Sequence, residues 1–213
     1  LLALLVLSQS CPFFPVGAAP FQPPPTRKDP VVESLHGLPV ADPFRWLEDS
    51  NSEDAKDWVQ AQNEFTQSHL ATLPRREPLR RRLAELWNYP RVGIPTERAG
   101  RLFHTRNSGL QNQSVLLWRE NADAPSKPLL DPNLLSTNGT TSLATFVPSD
   151  DGRFVAWATS QGGSDWREVR IREVDSGIDL PETLRWVKFS SMTWTPDGAG
   201  FFYQRFTAPP EGE

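Results

Sequence analysis

A chain of 213 residues is long enough for one or two domains with a proper hydrophobic core, and 26 acidic against 22 basic residues leave a net charge of −4. That balance gives no general attraction to nucleic acid or to anionic membranes. Its 21 prolines argue against a helix-dominated fold, while eight Trp and twelve Phe suit broad packed sheets.

Residues 1–19 read as a truncated signal peptide. Leu1–Leu7 is an apolar run, Ser8, Gln9 and Ser10 are polar, and Val16, Gly17 and Ala18 supply small residues for cleavage near Ala18 or Ala19. The run is shorter than the ~20 apolar residues of a spanning helix, so no membrane span is expected. The expected location is secreted or periplasmic, with cytoplasmic as the alternative. Cys11 is the sole cysteine. Ser8 stands where a lipid-attachment signal wants Leu, so Cys11 is expected to leave with the leader rather than carry lipid. The mature chain then has no thiol chemistry.

From Phe21 to Arg27 the chain is proline-rich and extended, and Val31, Val32, His36 and Gly37 read as a short strand and turn. Ser50 followed by Glu53 forms a candidate capping box, with acidic Glu53 and Asp54 favouring a helix start. Ala55, Trp58, Val59, Gln62, Phe65, Leu70 and Leu73 then share one helical face up to Pro74. A second helix is expected near Pro78, with Leu79, Leu83, Leu86 and Trp87 as its apolar stripe. Arg80, Arg81 and Arg82 occupy its other faces and read as solvated, since no aromatic-interleaved basic patch surrounds them.

After Pro90 the pattern changes to short strands with an internal repeat. AGRLF at Ala99–Phe103, DGRFV at Asp151–Val155 and DGAGFF at Asp197–Phe202 are versions of one turn-then-strand unit. The spacing is roughly fifty residues, that of propeller blades. A Gly turn lets two antiparallel strands reverse before a hydrophobic strand enters the core. Further strands are expected at Ser114–Trp118, Leu143–Val147, Trp166–Ile171 and Ser191–Trp194. An ordinary β-sandwich with coincidental turns is the weaker alternative.

The chemistry is mostly negative. No Gly-x-Ser-x-Gly elbow occurs, and Gly162, Gly163 and Ser164 are followed by Asp165 and Trp166. There is no phosphate-binding loop or dinucleotide fingerprint, so no cofactor is expected. His36, His69 and His104 are too dispersed for a metal site or a triad. Glu48, Asp49, Glu53 and Asp54 read as capping and solvated residues, since a calcium loop needs oxygen ligands at set positions and a turn glycine. Asn112-Gln-Ser and Asn138-Gly-Thr match glycosylation acceptors, a short pattern common by chance.

The segment HGLPVADPFRWLED, from His36 to Asp49, resembles the HGxxVxDPYxWLED signature of the prolyl oligopeptidase family of serine peptidases. Gln62 and Asn63 match the family's QN pair. The resemblance continues through Asn107–Gln113, Leu130–Asn133, Gly163–Trp166, Val187–Ser190 and Trp194–Gly198, in order. Phe44 departs from the family's usual Tyr, and the leader departs from its many cytosolic members.

This resemblance implies a mainly β chain: an N-terminal helical segment of an α/β-hydrolase domain, then the first blades of a seven-bladed β-propeller. Residues 20–90 would be the helical part of the catalytic domain. Residues 91–213 would be about two blades and the start of a third. The Ser-Asp-His triad would lie downstream of Glu213, so the catalytic set within the chain is none. The implied partners are short proline-containing peptides and the C-terminal hydrolase domain of the same chain, with the propeller restricting access. Phe189, in the VKFS segment, matches a family phenylalanine lining the pocket for an apolar group upstream of proline. A blade-core aromatic is its ordinary alternative. Trp46, Trp58 and Trp87 are expected to pack against the hydrolase domain. The alternatives are a secreted propeller acting purely as a binding module, and a neighbouring peptidase branch of different specificity.

Overall fold

The computed structural model describes residues 22–208; the leader-like run, Cys11 and the cleavage residues lie outside them. Two compact units divide after Arg76. In the first, β1 (Val32–Leu35) and β2 (Leu38–Ala41) pair antiparallel with Leu35 opposite Leu38. Between them His36 and Gly37 have φ of 52° and 80°. This left-handed pair matches the right-handed twist of a two-residue hairpin.

A short 3-10 turn at Arg45–Leu47 leads into α1 (Glu53–Ala71). The cap is Ser52, whose hydroxyl accepts from the Ala55 amide at 3.3 Å, two residues beyond the expected Ser50. Asp49 explains the delay. Its carboxylate takes the Asn51 amide at 3.0 Å and its carbonyl takes the Ser52 hydroxyl at 2.8 Å, so a further turn forms before the helix begins.

The proline-rich arm lies along α1. Gln62 Nε2 donates to the Pro24 carbonyl at 2.9 Å, Trp58 Nε1 to Thr26 Oγ1 at 3.0 Å, and Trp46 Nε1 to the Arg27 carbonyl at 3.1 Å. Arg27 sits 4.5 Å over the Trp46 ring and pairs with Asp54 at 2.7 Å. Trp46 and Trp58, expected to face another domain, therefore have their indole N–H groups satisfied inside this unit, as half-buried indoles require. Arg45 donates to Asp42 and Glu33, each at 2.5 Å, and ties the 3-10 turn to β1. Those bonds, the Asp42 bond first, raise its pKa above the usual arginine value.

The second unit begins with α2 (Arg76–Trp87) and continues as antiparallel sheets. The first sheet holds β3 (Arg91–Val92), β4 (Thr96–Arg98), β5 (Arg101–Asn107), β6 (Val115–Arg119) and β7 (Lys127–Leu130). Both β3 and β4 pair with β5. They are one strand position interrupted at Pro95, where a ladder N–H is missing. The second sheet is a four-stranded meander of β8 (Thr141–Pro148), β9 (Phe154–Gln161), β10 (Arg167–Glu173) and β11 (Asp179–Val187). A third pair, β12 (Thr193–Trp194) and β13 (Phe201–Phe202), follows. The mainly β reading holds.

The middle sheet is buried on both faces. Val155 and Trp157 join Phe103, Leu116, Trp118, Leu129, Leu130 and Val174 in one core. Ala156 and Ala158, on the opposite face, join Val169, Val187 and Met192, with Trp194 and Phe201 packed against them. Alternate residues of β9 thus point to different neighbouring sheets, and β9 reads as a continuous apolar run because neither face meets water. This is how blades stack in a propeller.

The expected repeat recurs in atomic detail. Before β9, the Ser149 hydroxyl donates to Asp151 at 2.6 Å, and Asp151 accepts the Arg153 amide at 3.0 Å. Before β13, the Thr195 hydroxyl donates to Asp197 at 2.6 Å, and Asp197 accepts the Ala199 amide at 3.1 Å. Gly152 and Gly198 have φ of 68° and 69°. A Cβ on Gly152 would also lie 3.0 Å from the Arg98 carbonyl, so glycine is required there twice over. The copy at Ala99 and Gly100 is a bare two-residue turn without the aspartate.

Candidate functional site

One end of the second sheet gathers the residues of interest. The start of β8, end of β9, start of β10 and end of β11 meet there, with Thr141 opposite Gln161 and Arg167 opposite both Ser160 and Val187. Between β10 and β11 the register slips: a step of two residues on β10, from Arg167 to Val169, faces a step of three on β11, from Val187 to Leu184. The extra residue makes a bulge, and Trp186 takes a left-handed φ of 63° within it.

Phe189 lies just past β11, in the loop before β12, also left-handed at φ 53°. It is 68% exposed, so the alternative of a core aromatic in a strand does not describe it. With Ser190, Thr193, Phe202 and Tyr203 it borders a shallow concavity of about 260 Å³. Lys188 stands between the two left-handed residues, Trp186 and Phe189, with its ammonium 4.1 Å over the Trp166 ring and 5.2 Å over Phe206. Trp166 meets Trp186 edge-on at 5.7 Å and Phe206 at 6.2 Å.

A larger open concavity of about 630 Å³ adjoins the same end, with walls that include Trp157, Thr159, Trp166 and Trp186. Glu168 there pairs with Arg170 at 2.7 Å and approaches Arg185 at 3.6 Å. Such a surface can receive apolar and aromatic groups. It offers no nucleophile paired with a base. Ser164 lies in the hairpin turn between β9 and β10, its hydroxyl accepting the Trp166 amide at 3.1 Å. A nucleophile elbow needs a strand-to-helix turn instead.

The histidines stay apart in role. His36 is exposed in the first hairpin's turn, and His69 lies near the end of α1. His104 is buried in β5, with Nε2 3.5 Å from the Ser126 hydroxyl. Burial, then the charges of Arg119 and Arg106, push its pKa below the usual histidine value. Among the described residues no group of three or more His, Cys, Asp or Glu converges to hold a metal. Among them, too, no helix is long and apolar enough to cross a membrane.

Successive antiparallel sheets, each with the same Gly turn between its early strands and packed face on face, define a partial β-propeller. The family model for the prolyl oligopeptidase N-terminal beta-propeller domain matches residues 23–213, and the chain belongs to that family. It is 42% identical over 189 residues to the prolyl endopeptidase of Elizabethkingia meningoseptica, covering 89% of this chain and 26% of the relative. Prolyl oligopeptidase A of Amanita bisporigera is 35% identical, with 82% and 26% covered. A solved structure from a study of two prolyl endopeptidases and their inter-domain dynamics superposes with a TM-score of 0.79 at 38% identity, covering 88% of this chain and 28% of that one. Prolyl oligopeptidase B from Galerina marginata, bound to a 35mer hydrolysis and macrocyclization substrate, gives 0.72 at 30% identity, with 89% and 30% covered. The chain thus spans about a quarter of the length of the curated relatives it matches.

Sequence reasoning reached Phe189 through the family motif alone. Trp186, Lys188 and Phe206 escaped it, because their meeting depends on the bulge in β11 and on a return of the chain after β13. The backbone bond from the Phe206 amide to the Trp186 carbonyl, 2.9 Å, fixes that return; no local spacing announces it.

Proposed function

We propose that the chain is the propeller-bearing N-terminal part of a serine-type prolyl endopeptidase that cleaves short peptides on the carboxyl side of proline. The observation that carries this is the 42% identity to a prolyl endopeptidase over 89% of the chain. The propeller restricts access to the reaction site, so short peptides are favoured over folded proteins. The serine nucleophile, its histidine base and their aspartate belong to the catalytic domain that the relatives carry beyond this region. There, serine attacks the proline carbonyl carbon, histidine shuttles the proton from the serine to the leaving amine, and oriented donors stabilise the oxyanion.

Two features of the chain serve that reaction in this reading. Residues 20–90 form the helical part of the catalytic domain, with the α2 stripe of Leu79, Leu83, Leu86 and Trp87 as its docking face. Phe189 supplies apolar contact for a group upstream of the proline, consistent with its 68% exposure beside a concavity. The leader-like residues 1–19 support export to a secreted or periplasmic location.

The test is kinetic and uses the full-length protein. A blocked Gly-Pro reporter should be cleaved and an Arg reporter spared; equal cleavage of both, or of neither, would reject the assignment. Phe189→Ala should raise KM for peptides extended upstream of proline by about 10-fold, the loss expected when a buried aromatic contact goes. Unchanged KM for such peptides would remove Phe189 from the binding surface.

A further inference from the structure

Phe189 adopts a left-handed backbone that non-glycine residues avoid, and with its ring mostly exposed its own contacts do little to hold it there. Something adjacent must fix the loop. The neighbour Lys188 sends its ammonium over the Trp166 ring at 4.1 Å, with Phe206 at 5.2 Å and Phe189 itself at 5.8 Å. Among the described residues no carboxylate pairs with it, so the rings are its partners. Trp186 closes the cluster edge-on against Trp166 at 5.7 Å. The cluster is rooted in three separate elements: the β9–β10 turn, the β11 bulge and the segment after β13. The Phe206 amide bond to the Trp186 carbonyl, 2.9 Å, locks the last two together. A second bond, from the Gln204 amide to the Ser190 hydroxyl at 2.8 Å, ties down the far side of Phe189.

We propose that Lys188, seated among Trp166, Trp186 and Phe206, is a positioning residue that sets Phe189 for peptides extended on the amino side of proline. This rests on the reading of Phe189 as a contact for such peptides. Lys188 does not touch the substrate in this account. It holds the backbone between two left-handed residues, so the Phe189 ring is presented without reordering when peptide arrives. Binding that needs no reordering is stronger, and the gain is confined to substrates long enough to reach the ring. A cation with a stem of similar length should serve; a neutral side chain of the same length should not.

The experiment compares Lys188→Met, Lys188→Arg and Phe189→Ala in the full-length protein, using a blocked reporter that extends upstream of proline and a minimal one that does not. Thermal melting first establishes that each variant is folded. Lys188→Met is expected to raise the ratio of KM for the long reporter to KM for the minimal one by about 3- to 10-fold, the range of a lost cation–π contact. The change should fall on KM rather than kcat, and Lys188→Arg should restore most of the ratio. If Phe189→Ala raises the ratio and Lys188→Met leaves it at the wild-type value, the positioning role is overturned while the reading of Phe189 stands. If Phe189→Ala itself leaves the ratio unchanged, both fall. Equal losses on the two reporters in Lys188→Met, unrescued by Arg, also overturn the proposal, since they mark a general structural role.

Discussion

Asp151 and Asp197 hold the same turn in successive blades, and their chemistry makes the turn sensitive to acid. Each carboxyl lies below its ordinary value of 3.8, first because a hydroxyl donates to it, from Ser149 or Thr195, and next because a backbone amide does. A carboxyl depressed on folding adds stability above its unfolded pKa and loses it as pH falls through the folded one. The window for both residues is therefore below about pH 4. Asp151→Ala should lower the melting temperature by about 1–3 °C at pH 7, the modest effect of losing one part-buried and one exposed hydrogen bond. The penalty should shrink on acidification to pH 3. An equal penalty at both pH values would mean the charge plays no part. The glycines of these turns were legible in sequence because φ above zero demands them. The Ser149 and Thr195 partners were not, since a hydroxyl two residues ahead of an aspartate is too common to single out.

At the scale of elements, neighbouring sheets are joined by arginines as well as by apolar cores. Arg172, on β10, makes a two-pronged pair with Asp179 at 2.7 and 2.9 Å and also donates to the Leu129 carbonyl of β7 at 2.5 Å. Its guanidinium stacks 5.4 Å from Trp157, whose indole N–H reaches the same Asp179 at 3.2 Å. The pair is only 17% and 24% exposed, so removing one partner strands a charge in poor solvent. Arg172→Met should destabilise by about 2 kcal/mol, between the figures for exposed and buried pairs. Asp179→Asn added to it should recover part of that loss. Urea unfolding against Arg80→Met, a solvated control, checks this; similar small effects in both would deny the staple. None of this network was visible beforehand, and neither were β7 and β11 as strands. Pro128 and Pro181 interrupt their patterns, and pairing from one side only lets such strands keep a proline. By contrast β5, β6, β8, β9 and β10 lay close to their expected positions, since burial on one or both faces writes itself into the residue types. The rim followed the same division. Phe189 came from a motif, whereas the Lys188 cluster came from a bulge that propensity does not encode.

Across the whole molecule, the sharpest mismatch lies between pattern and burial in α2. Leu79, Leu83, Leu86 and Trp87 form the stripe that helical periodicity predicts for a core face, yet they are 60%, 48%, 53% and 54% exposed. A helix with such a stripe gains most of its stability from whatever covers it. The relatives are about four times as long as the region matched, and the proposed cover is the catalytic domain they carry. Apolar patches left open favour association between copies. Residues 22–208 made alone should therefore self-associate, seen by light scattering, and should bind an apolar dye. Leu83→Glu with Leu86→Glu should reduce both signals in that shorter chain. The same pair in the full-length protein should do the opposite and destabilise it by about 3 kcal/mol, the burial of two leucines. The sign reversal separates a docking face from a merely solvent-exposed one: if the double variant leaves full-length stability untouched, α2 packs against nothing and the proposed arrangement of residues 20–90 fails with it.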